Sequence, residues 1–174
     1  MSTPYPDSLV LARRVIRVLI KLNLLTGGLI IALLIASVLN EAWVMRALGI
    51  RPVEFESRVF LGAQLIMVIG ICTVPVVDFV SRRLLKIVDS VRIGNPFIVV
   101  NAERLRAIAW ALLTLDLMHL MVGFIGSKIS SVGVPLHLSW GFSLTRCLAV
   151  LMLFVLARVF EEGARMREEL EGTV

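Results

Sequence analysis

The sequence predicts an all-α, integral membrane four-helix bundle with cytoplasmic helical extensions. Three observations carry this reading. The 174 residues are 58% hydrophobic and 18% charged, whereas soluble domains are usually about 45–50% apolar and about 25% charged. Four apolar segments, Leu22–Leu39, Val59–Val80, Leu105–Ile125 and Trp140–Phe160, each approach the ~20 residues a helix needs to cross a ~30 Å hydrocarbon core. No segment alternates with period two, so helices that satisfy their own backbone groups are the spanning form. A chain this short reads as one domain, residues 1–174.

The first span follows Arg13, Arg14, Arg17 and Lys21. That order imitates a signal peptide, but the apolar run is long and no A-x-A site follows it, so it is read as a retained span. Pro4 to Ser8 reads as a helix start, with Asp7 or Ser8 as cap. Arg13, Arg17 and Lys21 recur every fourth residue beside Leu9, Ile16 and Ile20, which predicts a basic amphipathic extension near anionic headgroups. Gly28, Ala32 and Ala36 form a small-residue stripe expected to pack closely inside the bundle.

In the second span Pro75 is expected to kink the helix and free a carbonyl. The helix then continues through SRRLLKIVDSVRI, with Asp78 and Arg82 spaced to pair, until Gly94-Asn95-Pro96 ends it. Asn101 is expected to cap the third helix, with Glu103 in its first turn. In the fourth span only eleven residues separate Arg146 from Arg158. They cover roughly 16 Å, so the helix must begin near Trp140, with Arg146 inside the outer membrane region. Arg158 snorkels to the near interface. The last helix continues through FEEGARMREELEG, with Glu161–Arg165 and Arg167–Glu171 as pairs and Gly172 as the stop.

Thirteen Lys and Arg residues fall on the side of the termini and the 81–104 connector, against five on the other side. The positive-inside rule therefore places both termini and that connector in the cytoplasm. The net charge of +5 is read as this orientation signal, not as direct nucleic-acid binding.

The costly residues are Asp116, His119 and Arg146, an intramembrane polar site. Asp116 lies eleven residues into the third span, near the midplane, where a charged Asp costs about 2.5–3.5 kcal/mol on insertion scales. His119 is one turn away on the same face, and Arg146 enters from the outer end of the fourth span at comparable depth. Two readings stand open: a buried pair that fixes helix packing, or a relay or ligand site. Met118, Met121, Cys147 and His119 are soft ligands without a repeating spacing, so no metal and no cofactor are expected. Cys72 and Cys147 read as packing residues. The sequence holds no P-loop, G-x-S-x-G, H-E-x-x-H or CxxC pair and no inverted repeat, so no enzyme activity is expected.

GNPFIVVNAERLRAIAW at 94–110 and ARVFEEGARMREELEGTV at 157–174 resemble the recurrent motifs of the YoaS-like family, uncharacterised bacterial four-span membrane proteins. Gly94, Pro96, Phe97, Asn101, Leu105, Arg106, Ile108 and Trp110 match the connector motif, and Phe160, Gly163, Leu170, Thr173 and Val174 the C-terminal one. Members are often encoded beside a small helix-turn-helix regulator of the Xre/Cro type. The resemblance implies a cytoplasmic DNA-binding regulator as partner, by association.

Together these observations imply a non-enzymatic anchor or sensor in the inner (cytoplasmic) membrane, with the lipid bilayer as first partner and homo-oligomerisation left open. The expected partner-binding residues are Asn95, Pro96, Phe97, Glu161, Glu162, Arg165, Arg167, Leu170, Thr173 and Val174. Phe97, a large apolar residue in a connector, is expected to be covered by the 160–174 helix. The rival class is a small transporter or ion-coupled carrier with Asp116, His119 and Arg146 on its path. The charge split predicts that a reporter active only in the cytoplasm works after Val174 or within 88–100, and fails within 48–56 or 128–136. Activity at 128–136 overturns the four-span topology.

Overall fold

The structure, a computed structural model, describes residues 7–40, 57–130 and 143–171. These form four helices: α1 Asp7–Leu39, α2 Ser57–Arg92, α3 Val99–Ser130 and α4 Leu144–Glu171. Three of them carry segments long and apolar enough to cross a membrane: Leu9–Leu39, Phe60–Arg92 and Val99–Lys128. At ~1.5 Å per residue each exceeds a ~30 Å core, so a turn or more of each projects beyond it. Only 6–22% of the most apolar window of each is buried within the chain. Such broad exposed apolar surface suits a lipid surround. Among the described residues α4 does not reach the same standard, because its C-terminal half is charged. Trp140 to Phe142, where the sequence starts the fourth span, lie outside the described residues, as do Gly172, Thr173 and Val174.

The chain falls into two compact units. One comprises residues 1–22, 76–114 and 143–174, and the other residues 23–75 and 115–142.

In the second unit α1 and α2 pack through small and polar residues. A Cβ on Gly27 would lie 3.0 Å from both methyls of Val74, so the missing side chain lets the two helices approach closely. The Asn23 amide donates to the Val74 carbonyl at 2.9 Å. Ser37 is 1% exposed; its hydroxyl donates to the Leu34 carbonyl at 3.0 Å and accepts from Gln64 Nε2 at 3.3 Å. Asn23, Gly27, Ile30, Leu34 and Ser37 alternate by four and three, one face of a helix.

This seam corrects the expected stripe of Gly28, Ala32 and Ala36. A Cβ on Gly28 meets nothing within 4 Å, and Ala32 is exposed. Successive helical residues are turned by ~100°, so the neighbouring glycine faces α2 instead. α2 remains one helix through Pro75, which lacks the N–H that would bond the Ile71 carbonyl.

In the first unit a conventional core forms from Ile87, Leu105, Ile108 and Ala157, with Val80, Leu112, Leu153 and Phe160 packed against it. α4 contributes the row Val150, Leu153, Ala157, Phe160 and Ala164, again at three-four spacing. Trp110 meets Phe154 edge to face, ring centroids 5.6 Å apart. Asp78 and Arg82 pair as the spacing predicts, at 2.6 Å.

The packing difference between adjacent glycines is directly testable. Gly27→Leu forces side-chain carbons into Val74 and should destabilise by about 1–3 kcal/mol, whereas Gly28→Leu should change little. Thermal unfolding of the two variants in a mild detergent checks this; equal effects overturn the assignment of the seam.

Candidate functional site

The site is built where α2 ends and α3 begins, in the first unit. Gly94 holds φ +85°, a left-handed conformation that favours glycine. The Gly94 N–H bonds the Val91 carbonyl at 3.0 Å and the Asn95 N–H bonds the Ser90 carbonyl at 3.2 Å. These two bonds are the Schellman closure of a helix C-terminus. Pro96 follows and cannot continue the helix.

Asn101 ties the connector together. It is 0% exposed. Its Nδ2 donates to Ser90 Oγ at 2.6 Å and to the Pro96 carbonyl at 2.8 Å. Its Oδ1 accepts from Arg104 Nη1 at 2.9 Å, and the same nitrogen reaches the Lys86 carbonyl at 3.3 Å. Ser90 passes its own proton to the Ile87 carbonyl at 2.7 Å. Every polar atom of the buried amide is thus bonded, the condition under which such a group stabilises rather than costs. The sequence reading of Asn101 as a cap is corrected. α3 starts at Val99, so Asn101 sits inside the first turn, and its side chain reaches back to α2. Glu103 correspondingly lies past the first turn.

The connector also receives α4. Phe97 stacks obliquely on Phe160, ring centroids 5.2 Å apart, as expected of a large apolar connector residue. A Cβ on Gly163 would come 3.1 Å from the Phe97 ring, so the absent side chain at Gly163 makes the space. One turn on, Arg167 Nη1 donates to Asn95 Oδ1 at 2.9 Å. Glu161 Oε2 accepts from Arg106 at 3.0 Å and from Arg158 at 3.2 Å. Arg165 bonds Glu162 at 2.7 Å and lies 3.6 Å from Glu169. The expected Glu161–Arg165 pair therefore gives way to other partners, because Arg106 on a neighbouring segment competes for Glu161. The side chain of Glu171, expected opposite Arg167, lies outside the described residues. Toward α1, Arg13 pairs with Asp89 at 3.2 Å.

The predicted partner-binding residues thus divide. Asn95, Pro96, Phe97, Glu161 and Arg167 make contacts within the unit, while Glu162, Arg165 and Leu170 lie on exposed parts of α4. Thr173 and Val174 are outside the described residues. Of the expected intramembrane site, Asp116 and His119 share α3 in the second unit, one turn apart and half-buried. His119 Nδ1 lies 2.9 Å from the Leu115 carbonyl. Arg146 is in the first turn of α4, in the first unit, where its N–H bonds the Ser143 carbonyl at 3.0 Å. Among the described residues no three His, Cys, Asp or Glu side chains gather in a way that could hold a metal ion.

Sequence reasoning did not single out Ser90, Asn23, Ser37 or Gln64. Polar residues within apolar or amphipathic helices were the available signal, since a buried polar group needs a partner.

One family model, described as a protein of unknown function (DUF2975), matches residues 20–174. No curated protein and no solved structure gives a match.

Two substitutions test the connector. Asn101→Ala removes the bonds to Ser90 Oγ, the Pro96 carbonyl and Arg104, leaving the first two with Ile87 and Ile98 as remaining partners, and should cost about 1 kcal/mol for each bond lost. Gly163→Leu should drive Phe97 off Phe160. Limited proteolysis should show faster cleavage within 93–98 for both variants, and wild-type rates for either would overturn this account of the connector.

Proposed function

The chain belongs to the family of proteins of unknown function DUF2975, and from that footing we propose a non-enzymatic anchor or sensor of the bacterial inner membrane. In this reading both termini and the connector are cytoplasmic, and the outer face of α4 holds a soluble protein. The three long apolar helices support the membrane setting, and the excess of Lys and Arg around the connector supports its cytoplasmic side.

One observation carries the docking reading. Past Phe160, the inner face of α4 is occupied by Phe97 and Asn95. Its outer face leaves Met166 53% and Leu170 72% exposed, one turn apart. Glu162 continues the same stripe, and Arg165 bridges Glu162 to Glu169 beside it. Apolar anchors four residues apart with charged flanks are what a helix presents to a hydrophobic groove. The partner class is a small helix-turn-helix regulator, as the YoaS-like resemblance implies. Capture at the membrane would withdraw such a protein from DNA.

The chain reconstituted in nanodiscs should bind a purified small helix-turn-helix regulator of the Xre/Cro type. The double change Met166→Glu with Leu170→Glu should weaken binding at least tenfold, since each apolar side chain contributes on the order of 1–2 kcal/mol when buried. Helix content and thermal stability should stay unchanged. Undiminished binding by the double variant, or no binding by the wild type, overturns the proposal.

A further inference from the structure

Between α2 and α3 of the second unit lies a cavity of about 140 Å³, with Ile69, Gly70, Thr73, Met118, His119 and Val122 among its lining residues. Its chemistry is one-sided. The Thr73 hydroxyl spends its proton on the Gly70 carbonyl at 2.7 Å, so its oxygen presents lone pairs. His119 Nδ1 sits 2.9 Å from the Leu115 carbonyl. A carbonyl only accepts, so the ring donates this bond from Nδ1. The other lining residues named are aliphatic, apart from the Met118 thioether, which favours the edge of an aromatic ring. The cavity therefore offers one hydroxyl acceptor, Thr73 Oγ, among apolar walls.

Size narrows the class. An engineered apolar cavity of about 150 Å³ in another protein holds benzene, so a single six-membered ring fits this half-open one. We propose that the cavity binds single-ring aromatic molecules carrying one hydrogen-bond donor, the phenol class, with the donor directed at Thr73 Oγ. The site rests on helices of the second unit alone and is independent of partner docking at α4. Linked to that docking, it would make the chain a receptor for lipophilic phenols that partition into the bilayer.

The test uses the full chain in lipid nanodiscs with ¹³C-methyl-labelled methionine, the Met118 signal being assigned from Met118→Leu. Phenol should shift the Met118 methyl saturably. Anisole, with the same ring and no donor, should bind at least tenfold more weakly. Thr73→Val keeps the side-chain shape, removes the acceptor, and should weaken phenol about two- to tenfold. Val122→Phe fills the space and should abolish the saturable shift, the remaining methionine signals reporting the fold. Equal binding of phenol and anisole, no effect of Thr73→Val, or a saturable shift that survives Val122→Phe in a folded protein overturns the proposal in favour of partition into lipid. If Val122→Phe does not fold, the phenol–anisole comparison and Thr73→Val decide the matter.

Discussion

The Asn101 amide is the constraint on which the first unit depends. It fixes three separate stretches of backbone at once: the last turns of α2 through Ser90, the connector through Pro96, and the first turn of α3 through its own position. With both amide protons and the amide oxygen bonded, the side chain has one workable placement in its buried setting. That placement sets where Phe97 projects, one residue after Pro96. Phe97 in turn sets where α4 can lie, because its ring occupies the space that any side chain at Gly163 would need. A polar contact at a helix junction thus determines an aromatic contact, and the aromatic contact determines the course of the C-terminal helix.

The two units are held by different physics. The first has a small apolar core of Ile87, Leu105, Ile108 and Ala157, held by the burial of apolar side chains. The second is built from strongly apolar stretches of α1, α2 and α3, and for such stretches lipid is as good a neighbour as another helix. Burial then supplies little drive, and close backbone approach and polar contacts replace it. Gly27 against Val74, the Asn23 amide on the Val74 carbonyl and the Ser37–Gln64 pair are those replacements. The Asn23 contact lies next to Pro75, where the helix already lacks one backbone bond.

Much of this was legible in the sequence, and the misses have specific causes. Helix existence followed from apolar length, and the α2 stop followed from Gly94-Asn95-Pro96. Phe97 was expected against the C-terminal helix because a large ring in a connector needs cover. Which of two adjacent glycines faces α2 was marked only by Asn23 and Ser37, which share a face with Gly27, whereas the small-residue stripe pointed to Gly28. Asn101 near a helix start carries the signature of a cap, and only the proximity of Ser90, eleven residues earlier, reveals its other use. Glu161 and Arg167 matched local pairing rules, yet Arg106 and Asn95 reach them from distant positions in the chain. The intramembrane trio rested on depth, on the shared helix face of Asp116 and His119 and on the reach of Arg146; Asp116 and His119 lie in one compact unit and Arg146 in the other.

The division of α4 into two faces bears on how any docking would be felt. Its inner face closes on the connector through Phe160, Gly163 and Arg167, and these contacts cannot be given to a partner without releasing the connector. Its outer face, with Glu162, Met166 and Leu170, can be covered without disturbing them. The ion pairs on this helix are at least a third exposed, so each contributes little by itself. The position of α4 therefore rests on ring packing and on the apolar row of Leu153, Ala157 and Phe160 rather than on its many charges. A protein seated on the outer face would bear on a helix fixed at two points of the connector. Those two points flank Pro96, whose carbonyl is bonded to Asn101. A load on α4 thus arrives at the same amide that sets the rest of the unit.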